Sequence, residues 1–81
     1  MRTLVYDTHV YTSSGEYIHF DILVDDEHVD QVKHYAENYL TSLGIQSENI
    51  KQSRCHFCHS EIANPEVRLA IENNGHSIIR L

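Results

Sequence analysis

The chain carries its only two cysteines three residues apart, within the segment Cys55-His56-Phe57-Cys58-His59. Thiolates at this spacing chelate a metal well, because the turn between them brings both sulfurs to one side. We expect a binding or structural module and not an enzyme, which could hold one zinc ion through Cys55, Cys58, His59 and, from the hairpin, His19. Stronger zinc signatures bring a second Cys or His pair at a regular spacing. Here the fourth ligand lies far away in sequence, so the predicted site depends on the fold.

Other chemistries compete with zinc for the same residues. Cys55 and Cys58 could act only as small hydrophobic side chains, since free cysteine is often buried. A redox pair or a thiol enzyme using His19 or His59 is the alternative function. The redox role is disfavoured because the next predicted helix begins only at Asn64, too far downstream for its dipole to activate a thiol. The segment also matches C-x-x-C-H, but covalent haem attachment needs an exported chain, so we expect no haem.

Size and charge limit the class of protein. The chain has 81 residues, 41% of them hydrophobic, and a formal net charge of −6, and we predict one domain over residues 1–81. Its six Lys and Arg are scattered, so we expect no nucleic-acid partner. No apolar run approaches the ~18 residues of a membrane span, and the N-terminus lacks a secretory apolar region. We therefore expect a cytoplasmic protein with reduced cysteines and no membrane partner.

Alternation of apolar and polar residues predicts an antiparallel hairpin at the N-terminus. Its link ends in Gly15, which supplies the left-handed residue of a three-residue loop. Counting outward from Thr12 opposite Glu16 gives a register with one apolar face. On the reverse face, the same register brings together four polar residues: Asp7, His9, His19 and Asp21. The simplest interpretation of this patch is a solvent-facing sheet surface.

Apolar and aromatic residues share that reverse face with the polar patch: Val5, Tyr11, Tyr17 and Leu23. Left uncovered, they would form an exposed apolar surface. We expect either a loop over residues 55–60 to fold onto them or a second subunit to cover them. The second case predicts a homodimer.

Two amphipathic helices and two further strands follow the hairpin. Apolar residues recur at helical spacing from Val29 to Leu43, and Gly44 ends that helix. Asn64 caps a second helix, which stops at Asn74-Gly75. Strands are predicted for residues 50 to about 57 and for residues 76–81.

The order of elements, β-β-α-β-α-β, predicts an α+β fold of two layers. We expect a four-stranded mixed sheet, since two of its connections contain helices. Right-handed crossovers would place both helices on one face of that sheet. The polar patch would then lie on the open face.

Five segments resemble a known family in order and over nearly the whole chain: Val5-Tyr6-Asp7-Thr8, His19-Phe20-Asp21, Cys55-His56-Phe57-Cys58-His59-Ser60, Pro65-Glu66-Val67 and Asn74-Gly75. They resemble the small bacterial proteins of domain-of-unknown-function family two-zero-two-four. The resemblance implies a compact α/β domain of this length and no established activity. It includes His19 and Asp21 in a matched motif. At His9 the family pattern more often carries an aromatic residue, so the resemblance implies no ligand role there.

Overall fold

A computed structural model describes residues 1–81 and confirms the predicted order of elements. The strands and α-helices are β1 (Arg2–Thr12), β2 (Tyr17–Val24), α1 (Val32–Ser42), β3 (Ile50–Ile62), α2 (Pro65–Asn74) and β4 (Ser77–Arg80). Short 3-10 turns precede α1 and β3. None of the helices has the length and apolar character needed to cross a membrane.

The N-terminal hairpin has the predicted turn and register. The Thr12 amide donates to the Glu16 carbonyl at 2.9 Å, and Gly15 adopts a φ of 92° in the left-handed region. Pairing then continues from Tyr11 opposite Tyr17 down to Leu4 opposite Val24. Because side chains alternate along a strand, this register sorts the residues of β1 and β2 onto two distinct faces.

The sheet is antiparallel throughout, with strand order β3-β1-β2-β4, so the prediction of a mixed sheet is wrong. β1 lies between β2 and β3, and both run antiparallel to it. β2 and β3 are therefore parallel to each other without being neighbours. The chain makes a crossover between them through α1, but every hydrogen-bonded pair of strands is antiparallel.

The two helices lie on opposite faces of the sheet, so the prediction that both share one face is also wrong. Val32, Ala36 and Leu40 of α1 pack against the face that includes Val10 and Phe20, which we call the α1 face. The handedness rule applies to parallel strands joined by a crossover. α2 joins β3 to the antiparallel β4, from one edge of the sheet to the other, and the rule therefore does not constrain its side.

The α2 face is the side of β1 that carries Val5. There Val5 and Leu23 form a second core with Val67 and Ile71 of α2, and all four side chains are buried. A helix thus covers Val5 and Leu23, two of the four residues that were expected to need a loop or a second subunit, whereas Tyr11 and Tyr17 remain exposed. The rest of the α2 face remains open along β1 and β2.

β3 is longer than the sequence predicted. It pairs with β1 as far as Arg2 opposite Ile62, so the residues after Phe57 continue the strand and do not form a loop. The register shifts between Tyr6 and Val5, which leaves Cys58 as an extra residue without a partner on β1. This is a β-bulge, which lets the strand continue past an extra residue.

The buried Ile71 allows a test of the packing of α2 on the face of the sheet opposite α1. Its side chain is 1% exposed, and truncation of a buried isoleucine to alanine typically costs about 2–5 kcal/mol. We expect Ile71→Ala to lower the free energy of unfolding in urea by about 2–4 kcal/mol, because the core is small. Leu69→Ala on the same helix is the control, since Leu69 is 59% exposed. Equal effects of the two substitutions would contradict the packing.

Candidate metal centre

One carboxylate on β1 holds two imidazoles on the open part of the α2 face. Asp7 Oδ1 lies 2.5 Å from His19 Nε2, and Asp7 Oδ2 lies 2.7 Å from His9 Nε2. The hairpin register produces this convergence, because His9 faces His19 directly and Asp7 is two residues before His9 on the same face. The three side chains are 21–27% exposed, so solvent reaches them from one side.

Tyr17 extends the hydrogen-bonded group. Its hydroxyl lies 2.6 Å from His9 Nδ1. With a proton on Nε2, neutral His9 donates to Asp7 and accepts the Tyr17 O–H at Nδ1. The His9 and His19 rings stack with centroids 4.1 Å apart, which holds both Nε2 atoms toward the same carboxylate.

A third imidazole lies at the edge of this group. β3 places His56 opposite Asp7, and His56 Nε2 is 3.9 Å from Asp7 Oδ2. The His56 side chain is more exposed than those of His9 and His19. It is close enough for a modest rotation to bring a third nitrogen to the carboxylate.

The pKa values of Asp7 and Asp21 are shifted in opposite directions. Burial would raise the pKa of Asp7, but hydrogen bonds from His19 and His9 and their charges together hold it below the ordinary 3.8. Burial raises the pKa of Asp21 above 3.8, and the neighbouring Asp7, by its charge and a hydrogen bond, raises it further against the opposing effect of His19 and His59. Asp7 is therefore the carboxylate that stays ionised, whereas ionised Asp21 is disfavoured.

Tyr17 is affected by the same cluster. Desolvation raises the pKa of its hydroxyl above 10, and the adjacent Tyr11 and the charge of Asp7 act in the same direction. Near neutral pH the hydroxyl keeps its proton and remains a hydrogen-bond donor to His9 Nδ1.

Asp7, His9 and His19 form a group of three potential metal ligands. One donor atom from each lies within 4.8 Å of the others. A tetrahedral zinc ion with bonds of about 2.0–2.1 Å separates its ligand atoms by about 3.3 Å. The present nitrogen–oxygen contacts are slightly shorter than that, so an ion could replace the two shared protons after small side-chain movements. The residues fit such an ion.

The four ligands predicted from the sequence lie on different parts of the sheet. His19 and His59 both belong to the α2 face, since His59 is opposite Val5. Cys55 is opposite Thr8 on the α1 face, where the Thr8 hydroxyl donates to its sulfur at 3.4 Å. Both cysteines are free and exposed. The ligand role of the four stays a prediction, and the structure does not gather them as it gathers Asp7, His9 and His19.

The sequence prediction left Asp7 and His9 out of the metal site. The signal that could have included them was already available, since the hairpin register places His9 opposite His19 with Asp7 beside them. The cysteine spacing instead favoured Cys55, Cys58 and His59, and the family pattern at His9 argued against a ligand there. Cross-strand register was the better guide here, because it reports distance between side chains directly.

The fold and the site define a class: a small antiparallel α+β protein with a His–Asp cluster on an open sheet face. The chain belongs to the family described as Domain of unknown function (DUF2024), whose model matches residues 1–81. No curated protein matches it. The NMR structure of protein NE1680 from Nitrosomonas europaea is 36% identical, with a TM-score of 0.76 over 100% of this chain and 95% of that one. These matches support the fold, and neither of them names an activity.

The raised pKa of Asp21 predicts how metal-free protein responds to pH. The folded protein favours protonated Asp21 more strongly than the unfolded chain does. The resulting stabilisation of the fold is complete below pH 3.8 and is lost as the pH rises through the folded-state pKa of Asp21. We expect Asp21→Asn to stabilise the protein at pH 7 by about 0.5 kcal/mol, the size typical of a screened charge interaction.

Thermal unfolding at pH 7 and pH 3 measures this effect in the presence of a chelator. The stabilisation should disappear at pH 3, where Asp21 is itself protonated in both states. Asp26→Asn removes the same formal charge from an exposed residue between β2 and α1 and serves as the control. A larger gain from Asp26→Asn than from Asp21→Asn at pH 7 would contradict the assignment.

Proposed function

We propose that this protein is a small metal-binding module that holds one divalent ion, with zinc favoured, through Asp7, His9 and His19. The observation that carries the proposal is the single carboxylate placed between two Nε2 atoms at 2.5 and 2.7 Å. Two imidazoles and a carboxylate on a partly shielded surface make a three-point donor set.

The donor chemistry favours zinc over the alkaline-earth ions. Imidazole nitrogen suits Zn²⁺, whereas Ca²⁺ and Mg²⁺ prefer ligand sets made of oxygen. With Nε2 on the ion, the His9 Nδ1–H would donate to the Tyr17 oxygen, which would orient the ring as outer-shell partners commonly do. His56 is the available protein candidate for a fourth ligand.

The cysteine-based site remains a separate proposal with weaker support. Zinc held by Cys55, Cys58, His59 and His19 would require side chains from both faces of the sheet to meet, since Cys55 lies with Thr8 on the α1 face. The cytoplasmic location also stays a proposal. It is supported by two free and exposed thiols, which persist in a reducing compartment.

A second function, as a small enzyme, is favoured by the hydrogen-bonded series Tyr17–His9–Asp7–His19. A carboxylate that orients an imidazole can make it a general base. The thiol version has less support, because the polar partner of Cys55 is the Thr8 hydroxyl and not an imidazole. Metal binding and acid–base chemistry use the same Nε2 atoms, so the first competes with the second.

Metal titration tests the proposed function. We expect metal-free protein to bind one Zn²⁺ per chain by isothermal titration calorimetry. His19→Ala and His9→Ala should each weaken binding by at least about 10–100-fold, the loss caused by removing even a supporting partner of a metal ligand. Native mass spectrometry checks the stoichiometry against the 9.4 kDa chain.

The double substitution Cys55→Ser and Cys58→Ser is the decisive comparison, and it should leave zinc affinity unchanged. His34→Ala removes an exposed histidine of α1 and controls for weak surface binding. If the cysteine variant loses zinc while His9→Ala retains it, the ion belongs to the cysteine site. If no variant differs from the unmodified protein, the proposal is wrong.

A further inference from the structure

The strand β3 is exposed along almost its whole length. It spans 13 residues at one edge of the sheet, and all but the half-buried Ile50 are exposed. α1 packs over β1 and β2, and α2 packs over Val5 of β1 and Leu23 of β2, so neither helix covers the outer side of β3. An edge strand of this length presents a row of unpaired backbone N–H and C=O groups, which can pair with another strand.

We propose that β3 pairs antiparallel with β3 of a second copy of this chain, around a two-fold axis at Cys55, to form one eight-stranded sheet. A two-fold axis gives an isologous contact, in which each copy offers the same strand. In antiparallel pairing, residues that face each other have their side chains on the same face of the sheet. Neighbouring residues of a strand point to opposite faces, so the central residue of β3 must face its own copy across the axis.

The register of β3 selects which residue lies on the axis. Irregularities at Lys51 and Cys58 bound a regular stretch from Gln52 to Phe57. Only Arg54 and Cys55 are central to it. An axis at Arg54 would set two guanidinium groups directly opposite each other, which is unfavourable across strands. An axis at Cys55 opposes two small neutral side chains.

This register matches a large side chain with a small one. Phe57 of one copy falls opposite the partner's Ser53, and both lie on the α1 face, because they pair with Tyr6 and Val10 of β1. Phe57 is 51% exposed and contacts Tyr6 on one side only. By symmetry the contact forms twice.

Ser53 and Cys55 also line a mostly apolar groove of about 490 Å³ beside α1, together with Val29, Ala36 and Leu40. The partner's Phe57 would lie at the open side of that groove, next to Ser53. A second copy therefore adds an aromatic side chain beside a groove that Tyr6 also lines, and it covers an otherwise exposed Phe57. This complementarity is what favours a second copy over an unrelated strand.

Thiol crosslinking tests the position of the axis. Residues directly opposite in antiparallel strands have Cα atoms about 4.5–5.5 Å apart, within the range of a disulfide. Cys58→Ser protein, which keeps Cys55, should form a covalent dimer when diamide takes up the two thiol hydrogens. Cys55→Ser protein, which keeps Cys58, is the matched control, because Cys58 is also exposed.

In the control the two Cys58 residues would lie roughly 20 Å apart, six residues along the strand. We expect its crosslinking to be at least about tenfold slower, since its thiols meet only in chance encounters. Equal rates for the two variants would overturn the proposed axis.

The association itself is measured without a covalent bond. Under reducing conditions and with a chelator, sedimentation equilibrium should show a particle of twice 9.4 kDa. Phe57→Asp should weaken dimerisation roughly tenfold or more, as loss of a central aromatic contact commonly does. Leu69→Asp places the same charge on an exposed apolar residue of α2 and should have no effect.

A mass of 9.4 kDa up to millimolar concentration would overturn the proposal. So would equal weakening by Phe57→Asp and Leu69→Asp, with folding of both confirmed by circular dichroism. Because the sedimentation is measured with a chelator, its outcome is independent of whether the protein binds zinc.

Discussion

The pairing of β1 with both of its neighbours is the constraint on which the rest of this structure depends. Its residues alternate between two faces, and a slip of one position would exchange those faces completely. Val10 would then leave the core under α1, and Asp7 would enter it. The three-residue turn ending at Gly15 prevents the slip, since its left-handed conformation sets the first pair of the ladder. One register therefore defines both the core and the candidate metal centre.

The candidate metal centre illustrates how a sheet can gather ligands without a metal-binding loop. Cross-strand neighbours provide His9 and His19, and the same-face neighbour two residues away provides Asp7. α2 covers only the end of this face near Val5, so the cluster is supported from below by the sheet and reached by solvent from above. The electrostatic cost of placing Asp21 beside Asp7 is a further consequence of the register, and a bound cation would relieve it.

Much of the fold could be predicted from local patterns. The hairpin, its register and its turn follow from period-two alternation and one glycine. The ends of α2 follow from Asn64, whose side chain accepts the Val67 N–H at 2.8 Å, and from Gly75 at a φ of 85°. These features depend on residues close together in sequence, where backbone geometry leaves few alternatives. The pairing of His9 with His19 belongs to the same class, because it follows from the hairpin register.

Local sequence sets the order of the elements, both ends of α2 and the pairing inside the hairpin, because these depend on neighbours along the chain. The order of the strands, the placement of the two helices on opposite faces and the extension of β3 through Cys58 arise from tertiary contacts. Those features depend on contacts between distant segments: Val67 and Ile71 pack against Val5, and β3 is held by β1 although none of its own residues is fully buried. Exposed, weakly alternating strands carry little hydrophobic pattern, so their partner and not their sequence sets where they end.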